Sequence, residues 1–128
     1  MSTASIRPSD GELAILRVLW SRGPSTVRDV HTELSKDRDM GYTTVLKLMQ
    51  IMVDKDLLAR DERSRSHTYR ALQGEVETQR CLVKELLHKA FAGSRRALVL
   101  QALEAEPASA EELEDIRKLL KDAKGRAQ

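Results

Sequence analysis

G-Y-T-T-V-L-K-L-M-Q-I-M-V-D-K, residues 41–55, decides how the rest of the chain is read. Its apolar members Val45, Leu48, Met49 and Met52 fall at i, i+3, i+4 and i+7, the spacing that lines one face of an α-helix. Thr43, Thr44, Lys47 and Gln50 are thereby left on the opposite, wetted face. A helix with aliphatic side chains behind and hydroxyls, an ammonium and an amide in front is held by a core while offering polar groups outward. The spacing predicts this helix from Tyr42 to about Lys55.

Upstream, Ser35 to Gly41 has no apolar periodicity and reads as a connection. Before it, Thr26 and Asp29 form a capping pattern that opens a helix reaching about Leu34, with Val27, Val30 and Leu34 on its inner face. Earlier still, Ser9-Asp10-Gly11-Glu12 is a capping box, followed by Leu13, Leu16, Val18, Leu19 and Trp20 at helical spacing and a stop at Ser21-Arg22-Gly23-Pro24. Downstream, Leu57 to Asp61 and His67 to Leu72 are short extended candidates joined by the polar, basic link Glu62-Arg63-Ser64-Arg65-Ser66, a β-hairpin with a charged tip. Three short helices followed by a hairpin is the order of a winged helix-turn-helix, in which the third helix enters the major groove and the hairpin lies beside it.

From Glu75 onward the pattern is helical without strands. Val83, Leu86, Leu87, Ala90 and Phe91 follow one helical face, and Gly93 suits the C′ position that closes it. Leu98 to Leu103, including Leu100, is a short and nearly all-round apolar helix ended by Pro107. Ser109 to Glu112 caps another, which carries Leu113, Ile116, Leu119 and Leu120. Helices this short and apolar are expected to pair with a second copy, so Val83, Leu86, Leu87, Phe91, Leu98, Leu100, Leu103, Leu113, Ile116 and Leu120 are candidate dimerisation residues. The tail from Lys121 to Gln128 is expected to fray. The fold class is mainly α with a small hairpin: a winged helix-turn-helix over residues 1–73, then a helical dimerisation region over residues 74–128.

Composition agrees with this and narrows the function. The chain has 128 residues, 41% hydrophobic and 33% charged, which is globular rather than disordered. Its aromatics are one Trp, two Tyr and one Phe, so the core is aliphatic. A single cysteine, Cys81, excludes an internal disulfide framework and a multi-cysteine metal site, in keeping with a reducing compartment. No apolar run spans a bilayer and Met1 to Asp10 lacks a signal-peptide core, so the expected location is the cytoplasm, with no membrane partner. Residues 1–72 carry a net charge of +2 and residues 73–128 are neutral. So slight an excess does not by itself argue for nucleic acid; position must.

Several stretches together carry a family resemblance. Leu13 to Trp20 ending in V-L-W, then G-P-S-T-V-R-D-V-H-T-E-L (Gly23 to Leu34), Y-T-T-V-L (Tyr42 to Leu46) and K-D-L-L (Lys55 to Leu58) resemble the penicillinase-repressor family, the BlaI/MecI group that also includes copper-responsive, CopY-type repressors. A-L-V-L (Ala97 to Leu100) and E-E-L-E-D-I-R-K-L-L (Glu111 to Leu120) are similar to that family's dimerisation helices. The resemblance implies a homodimer with two winged-helix heads, repression of resistance genes at a palindromic operator of TACA/TGTA type, and release through cleavage by a membrane sensor protease. Departures matter too. Asp56 stands where the family usually has Gly, in a left-handed turn that Asp tolerates; Ile51 stands where a basic residue is common, and Ser64 where a Gly is. Gln101 and Ala102 replace the Asn–Phe bond cut in antibiotic-responsive members, so a sensor protease would need an altered preference. The cysteine cluster of the copper-responsive members has no counterpart in this tail.

The residues expected to touch DNA follow. Thr43, Thr44 and Lys47 occupy the start of the recognition helix, where side chains reach base edges; Thr suits phosphate or a thymine methyl, and Lys suits guanine O6 or N7. Tyr42 can offer its hydroxyl to a phosphate while its ring packs on the second helix. Ser25, Thr26 and Arg28 stand at the start of that helix, where free amides favour an anion; capping already explains Thr26, leaving Ser25 and Arg28. Arg63, Arg65 and His67 make the wing cationic for backbone or minor-groove contact, although charge at a hairpin tip also guards against edge-to-edge aggregation. Two rival readings remain at this point. Cys81, Glu85 and His88 fall at i, i+4 and i+7 and could be imagined as a thiolate or metal site, but a free cysteine commonly just packs, so no enzyme activity, metal or cofactor is expected. A winged-helix protein-interaction module or anti-repressor, without specific DNA binding, is the alternative.

Overall fold

The computed structural model describes residues 7–127. Its elements are α1 (Asp10–Arg22), α2 (Val27–Leu34), α3 (Tyr42–Asp54), β1 (Leu58–Asp61), β2 (Thr68–Ala71), α4 (Glu75–Phe91), α5 (Arg95–Ala105) and α6 (Ala110–Arg126). Internal contacts divide the chain into two compact units, with the division after Lys84, inside α4.

The first unit begins with the capping geometry its sequence dictates. Ser9 Oγ accepts from the Glu12 amide and the Glu12 carboxylate accepts from the Ser9 amide, so both arms of the box are closed. Thr26 and Asp29 do the same for α2. Helix α1 stops where Gly23 turns to φ 87°, a conformation an L side chain resists, and Pro24 forbids a further helical turn. Three helices then close on one aliphatic core of Ile15, Leu16, Leu19, Val30, Leu34, Val45, Met49 and Met52, floored by Leu58 and Tyr69 of the hairpin. Ile15, absent from the helical pattern read above, is fully sealed, whereas Leu13 and Trp20 pack only partly against the core. Gly11 lets α1 approach α3 closely: a Cβ there would lie 3.2 Å from Leu48 Cδ1.

Strands β1 and β2 pair antiparallel with Leu58 opposite Ala71 and Asp61 opposite Thr68. Ser25 adds an antiparallel bridge: its amide donates to Tyr69 O at 3.0 Å and its carbonyl accepts from the Tyr69 amide at 2.8 Å. The hairpin is thus tied to the α1–α2 turn. Asp56 takes φ 61°, the left-handed turn expected at that position, and delivers the chain from α3 into β1. The indole of Trp20 donates to the Gln73 carbonyl at 3.0 Å, fixing the start of α4 to α1.

The second unit comprises the end of α4 with α5 and α6. Gly93 takes φ 83° at the C′ position expected of it, and Ala92 before it is also left-handed, at φ 51°. Two successive left-handed residues let the Gly93 amide donate to Leu87 O at 2.9 Å and turn the chain into α5, whose cap is Ser94. In the tail, α6 runs on to Arg126, with Lys124 and Arg126 in its last turn, where cations suit the helix dipole. No residue of α5 or α6 is buried. Among the described residues no helix is long and apolar enough to cross a membrane.

Candidate nucleic-acid interface

Burial of Val45, Met49 and Met52 fixes which way α3 faces. Thr43, Thr44 and Lys47 are consequently exposed on its outer side, as is Gln50. At 3.6 residues per turn, Thr43, Lys47, Gln50 and Asp54 share about 60° of arc, and Thr44 and Ile51 form one shoulder of that row. Ile51 is half-buried, so the position where a basic residue is common carries a partly covered aliphatic side chain here.

Beside this face runs an open cleft of about 320 Å³, walled by Thr26, Val27 and Arg28 of the α2 start, Tyr42 and Leu46 of α3, and Arg65, Ser66, His67 and Tyr69 of the wing. Three segments distant in sequence therefore meet around it. Tyr42 is 44% exposed, and its ring meets His31 edge-on with centroids 5.8 Å apart, so the hydroxyl is presented while the ring is braced on α2.

The individual residues of the predicted set fare differently. Thr26 is occupied as the α2 cap, its hydroxyl accepting from the Asp29 amide at 3.1 Å. Ser25 corrects an expectation: it is 2% exposed and its hydroxyl donates to the Gly23 carbonyl at 2.9 Å. The backbone bridge to Tyr69 holds it inward and ties the wing to the α1–α2 turn, whereas Arg28, in the first turn of α2, is exposed. In the wing, Arg63 makes a forked ion pair with Asp61, the shortest contact being Nη2 to Oδ2 at 2.7 Å. That guanidinium, with the Arg63 amide, lowers the Asp61 carboxyl to about 2. Arg63 is thus paired within the wing, in an exposed ion pair. Arg65 lines the cleft and is exposed, with no partner among the described residues.

One contributor to the geometry lies away from this face and escaped the sequence reading. Lys55, just past the α3 end, donates to both carboxylate oxygens of buried Glu12, at 2.9 and 3.2 Å. Burial alone would raise the Glu12 carboxyl, but the Ser9 amide and Lys55 outweigh it and hold it below its ordinary range. The α1 cap residue is therefore also the peg that fixes the far end of α3. Charge of the right sign to seek a partner 43 residues away was visible in the sequence; the pairing was not.

The geometry is that of a winged helix-turn-helix, and the comparisons agree. The chain superimposes on the solution structure of the Bacillus licheniformis BlaI monomeric form in complex with the blaP half-operator with a TM-score of 0.50 at 24% identity, covering 56% of this chain and 88% of that one. That likeness is one of fold. In sequence, it is 36% identical over 116 residues to the transcriptional regulator BlaI of Mycobacterium tuberculosis, covering 89% of this chain and 83% of the relative. It is 25% identical to the penicillinase repressor of Bacillus licheniformis over 92% of each. The family model described as penicillinase repressor matches residues 8–122, spanning the capped helices, the hairpin and most of α6, and the chain belongs to that family.

Proposed function

We propose that this chain is a dimeric, DNA-binding transcriptional repressor that holds a palindromic double-stranded operator between two copies of the α3 face and wing. The observation that carries the reading is the convergence of Arg28, Tyr42, Arg65 and His67 on one cleft alongside the exposed row of Thr43 and Lys47. Cations and a hydroxyl around a cleft suit phosphates, which position a protein on the duplex; the row on α3 suits base edges, which specify sequence. Membership of a family whose members are named transcriptional regulators and penicillinase repressors supports the same reading. The protein acts by occupying DNA rather than by catalysis, and works in the cytoplasm beside the chromosome.

Dimerisation is supported by the apolar surface left open in the C-terminal helices: Leu86, Leu100, Leu113, Leu119 and Leu120 are exposed. A two-fold pair would present its recognition helices to half-sites about one helical turn apart, about 34 Å. A sensor protease that relieved repression would have to accept Gln101–Ala102, both exposed within α5. The organisation proposed is a DNA-binding head to about residue 73 and a dimerisation region after it.

Footprinting the purified protein across its own promoter region tests this. The expected result is protection of two symmetric half-sites, with affinity that falls steeply as salt is raised. A protein-interaction module of the same fold would protect nothing and show no such salt dependence.

A further inference from the structure

Gln50 belongs neither to the core nor to the cleft beside α3. It is exposed, lies in the central row of α3 one turn beyond Lys47, and its amide has no hydrogen-bond partner among the described residues. On the same helix Thr44 stands about 100° round from Thr43, on the shoulder, so Gln50 is closer to the centre of the outward face than one of the two threonines. Asp54, in the same row one turn further, is exposed and carries a charge that phosphates repel. The stretch of α3 able to lie against DNA therefore begins at Thr43 and ends at Gln50.

Resting on the DNA-binding reading, we infer that Gln50 is a sequence-reading residue of α3, taking the adenine of an A·T pair next to the base pair met by Lys47. The chemistry selects the base. A carboxamide presents one donor and one acceptor in a plane, which matches the N7 acceptor and N6 amino donor that adenine shows in the major groove; guanine offers two acceptors there and suits Lys47 instead. A role inside the protein is not open to it, because the side chain neither packs in the core nor caps a backbone group. A phosphate contact would need Gln50 at the edge of the face, where Arg28, Tyr42 and the wing already stand.

The test uses the full chain as wild type, Gln50→Ala and Gln50→Glu. Each is first used to select sequences from a pool of random duplex DNA, and affinities are then measured for the wild-type consensus and its single-base variants. Wild type should bind the consensus about ten- to a hundredfold more tightly than the duplex altered at one A·T pair in a half-site. Gln50→Ala should level that pair of affinities while keeping discrimination at the other positions. Gln50→Glu, which can only accept, should shift the preference there to cytosine. Unchanged discrimination in Gln50→Ala, or an equal loss on every duplex, overturns the assignment. A wild-type protein that enriches no sequence from the pool defeats the DNA-binding reading itself, a separate outcome.

Discussion

Leu16, Leu19 and Leu34, in the N-terminal unit, are 2%, 3% and 6% exposed; Leu100, Leu113 and Leu120, in the C-terminal unit, are 49%, 45% and 58% exposed. Both sets sit on helices opened by a serine or threonine cap, so local helix chemistry does not separate them. The difference lies in what the chain supplies to cover them. In the head, α1, α2, α3 and the hairpin enclose a common volume. After residue 84 the chain supplies only helices, α5 being 11 residues long, and such helices are marginal without packing. Full burial of a leucine stabilises by about 1.5–3 kcal/mol, so several half-exposed ones are a driving force for association.

The largest expected effect breaks that comparison. Leu113→Asp combined with Leu120→Asp places two charges on the open face without touching the head core. Sedimentation should change from dimer to monomer, and affinity for a two-half-site operator should fall about 10²–10⁴-fold as the second binding event ceases to be intramolecular. Binding to an isolated half-site should be unaltered. A double variant that stays dimeric would show that the apolar face is not the interface.

Within the head, the next effect concerns the peg between α1 and α3. Glu12→Gln leaves the helix cap partly intact but deprives Lys55 of its charge partner, and should cost about 1–3 kcal/mol in urea unfolding at pH 7. The sign with pH follows from the lowered carboxyl. A group whose folded value is depressed stabilises above its ordinary value of 4.5 and loses that contribution as pH falls through the folded value. The gap between wild type and Glu12→Gln should therefore close on acidification below about pH 4.5. No counterpart is expected for the exposed Lys89–Glu85 pair in the C-terminal unit.

Smaller again is the contrast between the two wing arginines. Arg65→Ala should weaken binding to all duplexes alike and reduce the salt slope by about one unit. Arg63→Ala should change it less, because Asp61 already holds that guanidinium; Asp61→Asn should release it and steepen the slope. Equal slopes for the two alanine variants would mean that the Arg63–Asp61 pair opens on DNA.

These contrasts also mark what the sequence could tell. Ser9 with Glu12, Thr26 with Asp29 and the aliphatic row of α3 act over three or four residues, and a reader of the chain can find them unaided. The outward set Thr43, Thr44 and Lys47 follows from that row by elimination, which is why it was legible as a candidate face. Ser25 was misread because what positions it is a backbone bridge to Tyr69, and main-chain pairing across 44 residues leaves no side-chain signature. Arg63 reads in the sequence as one of the wing's cations, and its forked pairing with Asp61, two residues earlier, depends on how the hairpin turns there. Glu12 has a local role that fully accounts for it, and this concealed its distant one.

The smallest effects sharpen the comparison at the level of single backbone angles. Among the described residues each unit holds one non-glycine residue at positive φ: Asp56 in the head at 61° and Ala92 after α4 at 51°. Left-handed backbone costs an L residue roughly 1–2 kcal/mol, less for Asp, whose short polar side chain tolerates it. Glycine removes that strain but gains freedom in the unfolded chain, about 0.5–1 kcal/mol against alanine. Ala92→Gly should thus stabilise by about 0.5–1 kcal/mol, and Asp56→Gly by a few tenths at most. Thermal melts at several protein concentrations would separate the two. The Asp56→Gly shift, arising in a self-contained core, should be independent of concentration. The Ala92→Gly gain should appear in the transition that depends on concentration, because the turn it relaxes lies in the C-terminal unit, where neither the end of α4 after Lys84 nor α5 has a buried residue.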